Sequence, residues 1–255
     1  MGKKSKKKDT RSFNHPDLKN SISTLYANIR FAAGSKPLKS LVITSVGMDE
    51  GKSTIASNLA VAIVQAGQSC VLVDADLRKH TLSNMLDVHP QYGLYSILSG
   101  KCSIYDGISQ THFNNLFFVD CEPNIPNPAD IIGSDRFASL INYLNNNFDY
   151  VILDTPPLIS FVDGALASAM ADGTILVVRE GKTKKADIKN AVTQLQQANA
   201  TIIGTVLSFS SDTTESDYYY AYYNKEGKRI GKRRKNEPSM HPEVDEVNIN
   251  SNLNT

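Results

Sequence analysis

The sequence predicts an α/β fold in which a mostly parallel sheet is covered by helices on both faces. Short apolar runs alternate with helical patterns over residues 16–209. The runs are apolar at consecutive positions, as expected for parallel strands that are buried on both faces. Several of them end in residue types that commonly bind phosphate or metal ions. Ligands of such sheets bind beyond the carboxyl ends of the strands, so we expect these residues to converge on one site.

Length and composition predict a single folded domain between two polar ends. The chain has 255 residues, 41% of them hydrophobic, which suffices for one sizeable core. The formal net charge is only +1, but lysines and arginines crowd residues 3–11 and 225–235. We expect a disordered basic segment over residues 1–15, a domain over 16–209 and a flexible tail over 210–255.

Cysteine usage and hydropathy favour a cytoplasmic protein. Cys70, Cys102 and Cys121 have no CxxC spacing, which suits a reducing compartment. No apolar run approaches the roughly 18 residues of a membrane span, and the N-terminus lacks the apolar core of a secretion signal. The five histidines show no ligand spacing, so we assign them surface or core positions rather than a metal site: His15, His80, His89, His112 and His241.

The first half of the chain is built around one strand and one loop. Apolar residues at steps of three and four predict a helix over residues 17–31, which Gly34 and Pro37 end. A buried strand begins at Leu41 and leads through a glycine-containing loop into a helix over residues 55–65. A second apolar run, from Cys70, closes on two aspartates.

The second half continues the alternation. Ser134 is typical of a helix N-cap. The predicted elements are, in order, short helices within 78–100, a strand at 116–119, a proline-rich loop at 123–128, a helix to about 146, strands at 150–154, 174–178 and 202–207, and a helix at 184–197 between the last two.

The loop over residues 46–54 has the layout of a phosphate-binding loop. Backbone N–H groups and the positive end of the following helix surround an anion in such loops. Lys52 is expected to reach the β- and γ-phosphates, and the Ser53 hydroxyl to bind Mg²⁺. The pattern G-x-x-x-x-G-K-[ST] requires glycine where this chain has Val46. A chance match is the alternative, and the flanking strand and helix argue against it.

Three carboxylates end predicted strands and suggest metal chemistry. Asp154 follows an apolar run and fits a Mg²⁺ ligand. Asp74 and Asp76 are separated by one residue and would share a face of a continuing strand. One could bind the ion while the other accepts a proton from an attacking hydroxyl. Arg78 and Lys79 either neutralise charge on the transferred group or start a solvated helix; both alternatives stay open.

These motifs together resemble those of the bacterial tyrosine kinases, which belong to the deviant-Walker ATPases with a MinD/ParA-like P-loop fold. Residues 71–78 are similar to the Walker A′ motif of that family, and residues 154–157 to its Walker B segment. Residues 44–54 resemble its P-loop, which commonly lacks the first glycine and carries Glu before Gly-Lys. Further similarity lies in residues 126–132, 162–165 and 177–183.

The resemblance implies ATP and Mg²⁺ as cofactors and assigns roles to individual residues. The implied nucleotide-binding residues are Gly47, Glu50, Gly51, Lys52, Ser53, Thr54 and Arg78; the implied metal ligands are Ser53, Asp76 and Asp154; the implied catalytic residues are Lys52, Asp74, Asp76 and Asp154, with Asp74 as the general base.

A tyrosine cluster distinguishes a kinase from a plain ATPase. Five tyrosines fall within six residues of the acid-flanked tail: Tyr218, Tyr219, Tyr220, Tyr222 and Tyr223. The resemblance implies that a neighbouring subunit phosphorylates them in trans. A sticky low-complexity linker is the alternative. Each phosphate adds nearly two negative charges and would change assembly.

The resemblance also implies partners and a location. It points to an autophosphorylating kinase that regulates capsular or exopolysaccharide synthesis and export. Expected partners are the cytosolic tail of a membrane activator of the polysaccharide co-polymerase type, further copies of the chain and a cognate tyrosine phosphatase, with no nucleic acid. The protein would be recruited from the cytoplasm to the inner face of the membrane.

Two alternatives and two departures accompany this hypothesis. The chain could be an ATP-gated assembly module, or a MinD/ParA-type partitioning ATPase; Gly47 replaces the lysine of the latter. Many family members carry E-x-x-R-x-x-R on the first helix, whereas this chain has Asn20, Ser23 and Tyr26, which puts ring assembly in doubt. Ser208 stands where the family usually has asparagine.

Overall fold

The strands form one seven-stranded sheet in the computed structural model, which describes residues 13, 16–34, 37–123 and 125–210. The strands are β1 (Ser40–Ser45), β2 (Cys70–Asp74), β3 (Ser109–Gln110), β4 (Leu116–Val119), β5 (Tyr150–Asp154), β6 (Gly173–Arg179) and β7 (Ile202–Ser208). The helices are α1 (Pro16–Ala33), α2 (Lys52–Gln65), α3 (Leu82–Leu86), α4 (Leu94–Ser99), α5 (Ile104–Gly107), α6 (Pro128–Ile132), α7 (Asp135–Asn147), α8 (Asp163–Met170) and α9 (Lys185–Gln197).

The sheet has the order β3-β4-β2-β5-β1-β6-β7 and is parallel except at one edge. Only the two-residue strand β3 runs antiparallel, to β4. β5 lies between β1 and β2, and Asp154 is in register with Asp74 on one side and Ile43 on the other. The predicted α/β class is confirmed, and the carboxyl ends of β1, β2 and β5 lie side by side.

Helices cover both faces of the sheet. Successive residues of a strand point to opposite faces, so each central strand contributes side chains to two cores. Leu41 and Ile43 of β1 pack in a core with α1 and α2, whereas Val42 packs in a second core with α4 and α7. A third cluster joins β6 to α8 and α9. No helix among the described residues is long and apolar enough to cross a membrane.

The first helix has an apolar stripe that packs on the sheet. Ile22, Tyr26 and Ile29 are buried, and the Tyr26 ring contacts that of Tyr150 with centroids 5.7 Å apart. Ser23 is exposed, and its hydroxyl donates to the Lys19 carbonyl. Tyr26 is therefore a core residue of this chain, not a surface contact.

Three helices, α5, α6 and α8, lie where the sequence predicted none. Pro128 begins α6 inside the predicted loop, because proline fits the first helical position, where no N–H partner is needed. Helix α8 consists mostly of small residues and has no clear apolar stripe. Its Gly164 lies so close to β1 that a Cβ would be 2.9 Å from Thr44 Oγ1. The predicted Ser134 cap is observed, since its hydroxyl accepts the Phe137 N–H.

Most of the two predicted end segments lies outside the described residues. Apart from residues 13 and 210, this applies to the basic segment over 1–15 and the tail over 210–255. The five tail tyrosines, Tyr218, Tyr219, Tyr220, Tyr222 and Tyr223, also lie outside. The domain boundaries stay predictions.

Candidate active site

The phosphate-binding loop connects β1 to α2 and accommodates valine at its first position. Val46 is fully buried in the cluster of β6, α8 and α9, and its N–H donates to the Val177 carbonyl. Its side chain therefore extends the core instead of entering the loop. Gly51 has φ of 90°, in the left-handed region that favours glycine, and lies immediately before α2. Gly47 allows close packing, because a Cβ there would lie 3.1 Å from Glu50 Oε1.

Side chains at the ends of β6 and β7 hold the loop from outside. The carbonyls of three consecutive loop residues accept hydrogen bonds: Met48 from Lys182 Nζ (2.8 Å), Asp49 from Arg179 Nη1 (3.1 Å) and Glu50 from Ser208 Oγ (2.7 Å). Glu50 is buried, and its Oε1 accepts a 2.6 Å hydrogen bond from the Thr183 hydroxyl. Glu50 thus shapes the loop from inside the protein.

Lys52 lies between two aspartates at the start of α2. Its Nζ is 2.8 Å from Asp76 Oδ2 and 3.7 Å from Asp154 Oδ1. Burial alone would lower the pKa of Lys52, but the charges of Asp154 and Asp76 raise it. The ammonium therefore stays protonated and compensates part of the negative charge at this edge of the sheet.

The expectation that Asp74 and Asp76 follow one another on a continuing strand is wrong in detail. β2 ends at Asp74; the Ala75 N–H still donates to the Asp154 carbonyl at 2.8 Å, after which the chain leaves the strand in a turn. The turn still brings the two together, since the Asp76 N–H donates to Asp74 Oδ1 at 3.1 Å. The two side chains meet through this turn.

Asp74 and Asp154 resist ionisation. Asp74, Asp76 and Asp154 are at most 3% exposed. Burial raises the pKa of Asp154 to about 6, although Lys52 opposes the rise. Burial, followed by the charges of Asp154 and Asp76, raises the pKa of Asp74 well above its usual range. Asp74 Oδ2 and Asp154 Oδ1 are buried and accept no hydrogen bond from any described residue, although Lys52 Nζ lies 3.7 Å from Asp154 Oδ1.

Arg78 is held in a fixed orientation by two residues that the sequence did not single out. Its guanidinium stacks on the Phe161 ring, 3.9 Å from the centroid, and its Nη2 lies 3.2 and 3.3 Å from the two carboxylate oxygens of Asp163. Lys79, in contrast, pairs with no carboxylate of the described residues except the exposed Asp49. The geometry distinguishes a positioned arginine from a solvated lysine.

A cavity of about 530 Å³ lies against the phosphate-binding loop, Lys52 and Arg78. Among the predicted site residues, Glu50, Gly51, Lys52, Ser53, Thr54, Asp76 and Arg78 line it. Asp74 and Asp154 are not among the lining residues. Phe161 and Phe209 line it as well, and Phe209 stacks on Arg179 at 4.1 Å. The sequence resemblance covered residues 162–165 and 177–183 but carried no signal for the roles of Asp163, Arg179 or Thr183.

Comparison with known proteins gives consistent matches. The family model of an AAA domain matches residues 47–205. The chain is 35% identical over 214 residues to tyrosine-protein kinase CpsD of Streptococcus agalactiae (84% of this chain, 91% of that protein). It is 34% identical over 197 residues to tyrosine-protein kinase YwqD of Bacillus subtilis (77% and 83%).

Solved structures, among them a tyrosine kinase domain, are also similar to this chain. The chimerical protein CapA2B2 superposes with a TM-score of 0.71 at 34% identity, covering 76% of this chain and 84% of that one. The kinase domain of Escherichia coli tyrosine kinase ETK superposes with a TM-score of 0.73 at 26% identity (84% and 86%). The cell division ATPase MinD of Pyrococcus furiosus follows with a TM-score of 0.59 at 25% identity (69% and 74%).

Proposed function

The chain belongs to the tyrosine-protein kinase family of bacteria, and on that basis we propose that it transfers the γ-phosphate of ATP to tyrosines of its own kind. The observation that carries the proposal is the convergence of a phosphate loop, a buried lysine and three aspartates beside one cavity. The proposed acceptors are Tyr218, Tyr219, Tyr220, Tyr222 and Tyr223.

The nucleotide phosphates would lie against the loop and the first turn of α2. A helix start offers backbone N–H groups and a positive dipole to an anion. Lys52 already faces this position, held by Asp76 at 2.8 Å, and would exchange part of that pairing for the β- and γ-phosphates. Arg78, fixed by Phe161 and Asp163, is suited to stabilise charge on the transferred group.

The donor set supports a Mg²⁺ site made of Ser53, Asp76 and Asp154. Mg²⁺ prefers oxygen ligands and needs only one or two carboxylates when phosphates complete its shell. Asp154 Oδ1 accepts no hydrogen bond from the described residues, and Ser53 and Asp76 line the cavity. When bound, Mg²⁺ neutralises charge on the β- and γ-phosphate oxygens.

In the proposed transfer, the tyrosine oxygen forms a bond to the γ-phosphorus while the bond to the β–γ bridging oxygen breaks, and ADP leaves. The hydroxyl proton passes to an aspartate. The family resemblance assigns the acceptor role to Asp74, and its raised pKa makes the carboxylate a stronger base once it is ionised. It is fully buried, whereas Asp76 lines the cavity. Comparing Asp74→Asn with Asp76→Asn separates proton acceptance from metal and lysine contacts.

We further propose that transfer occurs between copies of the chain and changes their assembly. Each phosphate adds nearly two negative charges, so a phosphorylated cluster would repel other acidic tails and the acidic site. Self-association would not use the first-helix pattern of many relatives, because Tyr26 is buried against Tyr150 and Ser23 is not charged.

We propose that a separate membrane protein of the polysaccharide co-polymerase type activates the kinase through its cytosolic tail. The similarity to a chimerical protein, CapA2B2, supports a two-chain arrangement. The kinase would then act at the inner face of the membrane, regulating capsular or exopolysaccharide synthesis and export. A cognate tyrosine phosphatase would reverse the modification, and nucleic acid has no part.

The decisive experiment mixes two variants of purified protein with Mg-ATP, with and without a candidate activator tail. Lys52→Met keeps the acceptor tyrosines, and a variant with all five tail tyrosines replaced by Phe keeps the site. Neither alone should gain tail phosphotyrosine. Together they should label the Lys52→Met chain if transfer is in trans. Tail labelling of Lys52→Met by itself would overturn the proposed chemistry. An unlabelled mixture beside a labelled wild type would overturn transfer in trans.

A further inference from the structure

A second group of metal-binding side chains lies where the loop after β2 meets the loop after β4. His80, Asp120 and Cys121 each offer one ligand atom, and these atoms all lie within 4.8 Å of one another. Cys121 is 2% exposed, and its Sγ is 3.4 Å from His80 Nδ1. His80 and Asp120 are half-buried. Of the described residues, this is the one group of His, Cys, Asp or Glu that meets such a spacing.

Thiolate, imidazole and carboxylate form a donor set that suits Zn²⁺ and similar borderline ions, in contrast to the all-oxygen set at the nucleotide cavity. With Zn–S near 2.3 Å and Zn–N near 2.0–2.1 Å, tetrahedral geometry places the sulfur and nitrogen about 3.6 Å apart. The observed 3.4 Å between Sγ and Nδ1 is close to that edge. We propose that His80, Asp120 and Cys121 bind one zinc-class divalent ion, with a fourth position open to water.

The backbone that carries two of the ligands is held in place before any ion binds. The Asp120 carbonyl accepts the Leu94 N–H at 2.7 Å. The next carboxylate along the chain, Glu122, accepts N–H groups of Gly93, Tyr95 and Ser96 at the start of α4, at 2.7–3.0 Å. Supported ligands of this kind favour metal binding because little reorganisation is needed.

The hydrogen bonds that the three residues already form still allow them to bind an ion. Cys121 N–H donates to Asp120 Oδ1 at 3.0 Å, which orients the carboxylate and leaves Oδ2 for a ligand. His80 Nε2 is buried and has no hydrogen-bond partner among the described residues. Nδ1, not Nε2, faces the Cys121 Sγ, so the ion would bind His80 through Nδ1.

A bound ion would connect the loop after β2 to the loop after β4. His80 follows Asp76 and Arg78 on the first of these loops, whereas Asp120 and Cys121 lie on the second. The ion would therefore fix the loop that carries a proposed Mg²⁺ ligand. The site does not depend on the proposed function, because none of its three ligands is assigned a role there.

Cobalt titration tests the site on the full chain, stripped with a chelator and free of nucleotide. Co²⁺ bound through Cys121 should give a thiolate-to-cobalt charge-transfer band at one equivalent, with the visible bands of tetrahedral Co²⁺. Cys121→Ser should remove the band, and His80→Gln should weaken zinc binding, measured by competition with a chromophoric chelator, at least about tenfold. Cys102→Ser, a half-buried thiol elsewhere, is the matched control and should behave as wild type.

Thermal unfolding supplies a second readout. One equivalent of Zn²⁺ should raise the Tm of wild type and Cys102→Ser, and should leave the Tm of His80→Gln nearly unchanged. The proposal is overturned if wild type shows no charge-transfer band, or if Cys121→Ser and His80→Gln bind zinc as tightly as wild type. If Cys121→Ser does not fold, the zinc affinity and the zinc-dependent Tm of wild type, His80→Gln and Cys102→Ser still test the proposal.

Discussion

Replacing Asp154 by Asn should abolish phosphate transfer and yet stabilise the nucleotide-free protein. Asp154 is 1% exposed and its pKa rises from 3.8 to about 6, chiefly through burial. The charge of Lys52 at 3.7 Å opposes the rise without cancelling it. The ionised carboxylate therefore destabilises the folded protein in the absence of a metal ion.

The magnitude follows from the difference between the folded and unfolded pKa. A carboxyl whose pKa is raised on folding binds its proton more tightly in the folded state, so stability falls as pH rises from 3.8 to about 6 and is constant above that range. At about 1.36 kcal/mol per pKa unit, the loss reaches about 3 kcal/mol. Asn cannot ionise, so the variant does not undergo this loss of stability. The variant should thus equal wild type near pH 4 and exceed it by up to about 3 kcal/mol at pH 8.

Urea unfolding across this pH range, with chelator and without nucleotide, measures the difference. Asp149→Asn is the matched control on the residue just before the same strand. Hydrogen bonds from the backbone N–H and hydroxyl of Ser69 lower the pKa of Asp149, so its replacement should cost stability at pH 8, and the cost should vanish as pH falls through the lowered pKa. An Asp154→Asn protein that is no more stable than wild type at pH 8, or whose advantage ignores pH, would refute this reasoning.

Three further changes test the surroundings of the site. Arg78→Lys should lower tyrosine phosphorylation at least about tenfold without unfolding the protein, because lysine cannot both stack on Phe161 and pair with Asp163; wild-type rates would contradict a positioned guanidinium. Glu122→Gln should lower the free energy of unfolding in urea by about 1–3 kcal/mol, since its carboxylate accepts three backbone N–H groups; an unchanged midpoint would contradict the importance of these hydrogen bonds. Gly93→Ala should lower the free energy of unfolding by about 1–3 kcal/mol, because its Cβ would lie 2.4 Å from the Asp120 carbonyl oxygen. A melting curve by circular dichroism that matches wild type would contradict this clash.

The central sheet and its site could be predicted from the sequence because their signals are local. Each apolar run that ends in a carboxylate indicates both a buried strand and the position of its carboxyl end. This pattern predicts that Asp74 and Asp154 lie at one edge of the sheet, and the register of β2 and β5 places them side by side. The phosphate loop is equally visible in the sequence, and Val46 is explained by its place in the core.

The rest depends on contacts between residues distant in sequence. Asp163 pairs with Arg78 across 85 positions, and Cys121 meets His80 across 41. No spacing rule covers such pairs, so the histidines gave no ligand pattern. Helix α8 was missed for another reason, since small residues that pack tightly on β1 leave no periodic apolar stripe.

The hydrogen bonds to the phosphate loop carbonyls have a consequence for nucleotide affinity. Fixing the backbone of one residue costs about 1–2 kcal/mol of conformational entropy. Met48, Asp49 and Glu50 are held by Lys182, Arg179 and Ser208 before nucleotide arrives. Ordering these three residues on binding would cost on the order of 3 kcal/mol, or roughly a hundredfold in Kd. Part of the affinity for ATP is thus set at the ends of β6 and β7, by side chains that do not line the cavity.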